Sequence, residues 1–78
     1  MWLNITPKVA FSMQIVLNGE ARAAAPGLSV AGLLKELGID GRKVAVERNL
    51  EIVPKSAFET TALADGDRLE IVHFIGGG

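Results

Sequence analysis

The 78-residue chain has no cysteine, no tyrosine and a single histidine, His73. Without cysteine there is no disulfide framework, no thiolate nucleophile and no thiolate metal ligand. One imidazole is too little for a zinc site of nitrogen and sulfur donors. An excess of charge of either sign is missing too. Eight Lys and Arg face nine Asp and Glu, a net charge of −1, which gives no broad basic field to draw nucleic acid. No apolar run approaches the length of a membrane span, and no basic stretch leads into a long apolar one near the N-terminus, as in a secretory signal. The expectations are therefore no nucleic acid, no membrane, no bound metal and a cytoplasmic location. What remains is 49% apolar and 22% charged, the balance of a folded chain with one small core.

Regular patterning begins at Met13. Residues 1–12 carry Trp2, Pro7 and Phe11 without a sustained period, and are read as an extension outside the domain, with either Met1 or Met13 as the natural start. Met13, Ile15 and Leu17 alternate with Gln14, Val16 and Asn18, the pattern of a strand with two distinct faces. Asn18-Gly19 supplies the two positive-φ positions of a type I′ hairpin turn, so Glu20–Ala24 returns antiparallel. Ser29 suits a helix N-cap, and Val30, Leu33, Leu34 and Leu37 form one apolar helical stripe. Gly32 stands where a capping box would place Glu or Gln. Gly38 fits the left-handed residue past a helix end, with Ile39 packing back on the last turn. Lys43–Arg48 alternates again, Leu50–Val53 ends at Pro54 as an edge strand does, Ser56–Glu59 matches a capping box, and Arg68–Phe74 is the last strand. One helix covers one sheet face, giving a two-layer α+β domain over 13–75. A right-handed crossover would set the last strand parallel to the first.

Directly after that strand come Gly76, Gly77 and Gly78. A run without Cβ atoms passes where side chains cannot, and adopts backbone conformations closed to other residues. What it delivers is an unhindered carboxylate on Gly78. The bland alternative is a frayed end.

The order of hairpin, helix and closing strand before Gly-Gly resembles the β-grasp fold of ubiquitin-like proteins. The residues themselves resemble the ThiS family, small sulfur carriers of thiazole synthesis in thiamin biosynthesis. The segments that carry this are Met13–Gly19, Val30–Leu34, Val44–Asn49, Glu51–Lys55, Leu63–Val72 and Gly77-Gly78. Leu50 and Lys55 depart from the pattern: a small or polar turn residue would be easier at the first, and the family often has arginine at the second. The molybdopterin branch usually has prolines before its glycines, whereas here Val72-His73-Phe74-Ile75 stands there.

The resemblance implies a mixed sheet of four to five strands, one helix on one face and a mobile glycine tail. It implies that a ubiquitin-activating-type adenylyltransferase uses Mg·ATP to adenylate Gly78. A persulfide donor such as a cysteine desulfurase would then leave a thiocarboxylate for thiazole synthase, with Gly76 and Gly77 entering the partner active sites. On this reading the chain binds no cofactor and is not itself an enzyme. The alternatives are a molybdopterin-type carrier, a ubiquitin-like modifier and a β-grasp binding module.

The sheet face away from the helix is expected to present Val16, Ala45, Val72 and Phe74 among Gln14, Glu47 and Glu70, an apolar patch for partner docking. On that reading Phe74→Asp keeps the fold and weakens binding to the activating enzyme. His73 is read as structural, and Asp65 and Asp67 as turn residues. Arg42, Lys43 and Arg48 are read as a loose basic surface group.

Overall fold

A computed structural model describes residues 12–74. All of the expected extension except Ser12, and Ile75 with the tail Gly76, Gly77 and Gly78, lie outside the described residues. Five strands, β1 (Met13–Leu17), β2 (Glu20–Ala24), β3 (Val44–Arg48), β4 (Glu51–Val53) and β5 (Arg68–His73), form one sheet in the order β2-β1-β5-β3-β4. β1 and β5 pair in parallel, and the other neighbours antiparallel. With the one α-helix among the described residues, α1 (Val30–Glu36), this is the mixed β-grasp sheet expected.

The hairpin between β1 and β2 turns on Asn18 at φ 48° and Gly19 at φ 86°, the two positive values that a type I′ turn requires. Asn18 does more than turn. Its N–H donates to the Leu69 carbonyl at 2.8 Å, and its side-chain oxygen accepts from the Ile71 N–H at 2.8 Å, so it prolongs the β1–β5 contact past the end of β1.

Ser29 caps α1, its hydroxyl oxygen accepting from the Gly32 N–H at 2.9 Å. A Cβ on Gly32 would lie 2.7 Å from a Leu28 methyl, so a glycine here lets Leu28 close over the first turn. At the other end the Ile39 N–H donates to the Leu34 carbonyl and the Gly38 N–H to that of Lys35, with Gly38 at φ 70°. This is a Schellman closure, and only a residue that tolerates positive φ makes it cheaply.

The helix stripe and the inner sheet face meet in the core. Ile15, Val30, Leu33, Val44, Val46 and Leu69 are fully buried, each contributing about 1.5–3 kcal/mol relative to exposure. Ala24, Leu34, Val53, Phe58, Leu63 and Ile71 complete the cluster. β4 is an edge strand, as Pro54 after it predicts. One local expectation changes. The turn after Pro54 is a 3₁₀ turn, Lys55–Ala57, with no side-chain cap, so the Ser56–Glu59 capping box does not start it.

Candidate functional site

The site is built around the end of β5, because that strand leads to the glycine run. β5 is held on both sides: by β1 in parallel through Leu69, and by β3 in antiparallel register from Arg48 opposite Leu69 to Val44 opposite His73. Leu69 and Ile71 point into the core and anchor it, as their alternation predicts. The next residue, Phe74, is still tied down, its N–H donating to the Lys43 carbonyl at 2.9 Å. The Lys55 ammonium stands 4.6 Å from the centroid of the Phe74 ring and donates to the Val44 carbonyl at 2.9 Å. The chain is therefore fixed to the sheet as far as Phe74.

The register places Val72 beside Ala45 and Glu70 beside Glu47 across β5 and β3, Ile52 beside Glu47 across β4, and Val16 level with Arg68 across β1. These residues share the face away from the core. Val72 is 57% exposed, Ile52 63% and Phe74 47%, while Val16 and Ala45 are half-buried. Sequence reasoning placed Val16, Ala45 and Val72 on this face with Glu47 and Glu70, and missed Ile52. The alternation of Ile52 with buried Val53 carried the signal, but a three-residue strand is too short to show a period.

One of the acids read as a turn residue turns out to hold the fold together. Asp67 is buried. One carboxylate oxygen accepts from Arg48 Nε at 2.8 Å and the Ala64 N–H at 2.8 Å, the other from Asn49 Nδ2 at 3.0 Å. Burial pushes its carboxyl up, but the bonds from Arg48, Asn49 and Ala64 together outweigh it and hold the group below its ordinary value. Asn49 completes the tie by accepting from the Arg68 N–H at 3.0 Å. Asp65 accepts from the Gln14 N–H at 2.8 Å. The basic group stays at the surface at Arg42 and Lys43, which are exposed, while Arg48 is half-buried. Arg48 belongs to Asp67, and Arg42 makes a two-point pair with Asp40 whose N–H and guanidinium bonds bring that carboxyl down to about 2. His73 is exposed at the strand end.

A shallow groove of about 350 Å³ lies between α1 and two 3₁₀ turns, Gly41–Lys43 and Lys55–Ala57, lined by Arg42, Lys55, Phe58 and Glu59 among others. Among the described residues no cluster of three or more His, Asp or Glu side chains is placed to hold a metal ion. What the arrangement offers is an anchored strand end and an apolar sheet face.

The model of the ThiS family matches residues 15–78, which includes the glycine run. A thiazole synthase of Paramagnetospirillum magneticum is 62% identical over 66 residues, 85% of this chain. The chain spans only 20% of that protein's length. The sulfur carrier protein ThiS of Bacillus subtilis is 42% identical over 50 residues, covering 64% of this chain and 76% of that one. The crystal structure of the thiamine biosynthesis protein ThiS from Geobacter metallireducens superposes with a TM-score of 0.74 at 36% identity, over 85% of this chain and all of that one. Fold, sequence and terminal motif agree, and the chain belongs to the ThiS family.

Proposed function

We propose that this chain is a sulfur carrier for thiazole formation in thiamin biosynthesis, with Gly78 as the carrying residue. The observation that supports it most is the family match running through Gly76–Gly78, with two residues between that run and the end of a strand anchored on both sides. A carboxylate does not accept sulfur, because its oxygens are poor leaving groups. In the proposed sequence a Gly78 carboxylate oxygen attacks the α-phosphorus of ATP, with Mg²⁺ on the phosphates, on a ubiquitin-activating-type adenylyltransferase. Pyrophosphate leaves and an acyl adenylate forms. The terminal sulfur of a persulfide, such as that of a cysteine desulfurase, attacks the acyl carbon and displaces AMP. A thiol then reduces the resulting acyl disulfide, leaving a thiocarboxylate on Gly78. That sulfur is nucleophilic at neutral pH and passes to thiazole synthase. The thiazole synthase relative that contains a homologous segment supports this acceptor.

The chain contributes no base, metal or nucleophile beyond its own terminus, so the catalytic groups belong to its partners. Three glycines reach roughly 10 Å when extended, and their missing side chains suit a narrow passage. The outer face of Val16, Ala45, Val72 and Phe74, now with Ile52, is the proposed docking surface. A cytoplasmic setting keeps the thiols of this reaction sequence reduced.

Intact-mass spectrometry tests the reading. Incubation with the activating enzyme, Mg·ATP and a persulfide donor is expected to raise the chain's mass by the difference between a sulfur and an oxygen atom. Deleting Gly77 and Gly78 is expected to abolish that gain while the domain stays folded. Larger protein conjugates would indicate a modifier instead, and sulfur loading of the truncated chain would overturn the carrier mechanism.

A further inference from the structure

We propose that Lys55 is a positioning residue, one that sets the direction in which the chain leaves β5 and so aims the terminal carboxylate into the activating enzyme. This rests on the carrier reading. Three segments far apart in sequence meet where the described chain ends. The Phe74 N–H donates to the Lys43 carbonyl at 2.9 Å, Lys55 Nζ donates to the neighbouring Val44 carbonyl at 2.9 Å, and the same ammonium stands 4.6 Å from the Phe74 ring centroid.

The geometry assigns each contact a separate task. The β3–β5 register ends with Val44 opposite His73, so beyond His73 no strand pairing defines where the chain points. The backbone bond from Phe74 fixes one direction at its Cα. Alone, it leaves a hinge. The cation against the ring fixes a second direction, and the cation is itself held by a main-chain carbonyl of β3. An ammonium attracts the negative face of an aromatic ring, and a lysine satisfies one carbonyl and one ring without the planar fork of arginine. Lys55 also follows Pro54, whose fixed φ of −66° limits how the turn can move the side chain away.

The consequence is reach. Four residues past Phe74 span at most roughly 13 Å when extended, so the direction set at Phe74 decides which volume beyond the strand end the terminus can sample. Productive approach needs that volume to include the α-phosphorus. Docking through the sheet face brings the carrier to the enzyme. The Lys55 contact would raise the fraction of docked carriers whose carboxylate reaches the α-phosphorus. Loss of docking therefore shows in KM, and loss of aim in kcat.

The test uses the full chain, Mg·ATP and the activating enzyme, following pyrophosphate release. Lys55→Met keeps the stem and removes the charge and the donor; Lys55→Arg keeps both. Lys55→Met is expected to lower kcat at least threefold with KM within twofold, and Lys55→Arg to recover most of the loss. Independently, ring current from Phe74 is expected to shift the Lys55 ε-methylene protons upfield in the wild-type NMR spectrum, and Phe74→Leu to remove the shift. A folded Lys55→Met with wild-type kcat, a loss confined to KM, an arginine variant as impaired as the methionine one, or unshifted ε-protons would each overturn the proposal. A wild-type chain that the enzyme leaves unadenylated would sink the carrier reading and this inference with it, whereas an active wild type with an indifferent Lys55→Met sinks the inference alone.

Discussion

At the residue scale, Asp67 is the side chain on which the loop before β5 depends. All three of its partners are donors: Arg48 Nε, Asn49 Nδ2 and the Ala64 N–H. An amide in its place has only one accepting side, so Asp67→Asn must set its NH₂ against a donor. The expected cost is about 2–3 kcal/mol at neutral pH in urea denaturation. The same bonds predict a pH dependence. The carboxyl is held below its ordinary value in the folded state and returns to about 3.9 in the unfolded chain, so near that pH the unfolded state binds more protons. Its contribution to stability is therefore complete above roughly pH 5 and is lost as pH falls through 3.9 toward the folded value. Denaturation midpoints measured between pH 5 and pH 3 are expected to fall more steeply for the wild type than for Asp67→Asn. Parallel slopes would show that this carboxyl is not depressed. Asp67 also marks where residue-level reading stops. Asp-Gly-Asp reads as a turn, which it is, but a turn signal cannot tell that one of its acids is roofed over by Arg48 and Asn49 from a different hairpin.

At the element scale, the β3–β4 hairpin carries a conflict between sequence and geometry. Its two turn residues, Asn49 at φ 53° and Leu50 at φ 71°, are both left-handed. Asn49 is suited to this and is held there by its bonds to Asp67 and Arg68. Leu50 is not suited, and at 90% exposure it gains nothing from burial. Relief of left-handed strain, about 1–2 kcal/mol, exceeds the added unfolded-state entropy of glycine, about 0.4–1 kcal/mol. Leu50→Gly is therefore expected to raise the melting temperature by roughly 2–5 °C in calorimetry, and an unchanged or lower value would mean that the leucine side chain packs usefully in the folded chain. The other elements were legible because their signals are local. Asn18-Gly19 names its turn type, Ser29 and Gly38 bracket the helix, and alternation in β1, β3 and β5 sorts core from surface. What was not legible depended on contacts across elements. Asn18 reaches Ile71, Lys55 reaches Val44 and Phe74, and Pro54 rather than Ser56 precedes the 3₁₀ turn.

At the scale of the whole molecule, the one helix and one sheet of the described residues leave the second sheet face outside the core. Its apolar members follow from strand parity, which is why Val16, Ala45 and Val72 could be placed together before any register was known. Phe74 is a poor probe of docking, since a carboxylate there would meet the Lys55 ammonium and disturb the tail exit as well as the face. Val72 separates the two effects. It lies in β5 opposite Ala45, 57% exposed, two residues beyond Glu70 on the same face and diagonal to Glu47. A lysine at this position has two carboxylates within reach, so Val72→Lys is expected to fold, with a loss below about 1 kcal/mol from strand preference. An apolar partner surface would have to bury that ammonium or give up the contact. If this face docks the activating enzyme, KM for adenylation is expected to rise at least about tenfold, equivalent to roughly 1.4 kcal/mol of binding, while kcat stays within twofold because the tail exit at Phe74 is untouched. A folded Val72→Lys variant with the wild-type KM would remove the outer face from the docking account, and would turn the search for the partner surface to the groove beside α1, where Arg42, Lys55, Phe58 and Glu59 converge.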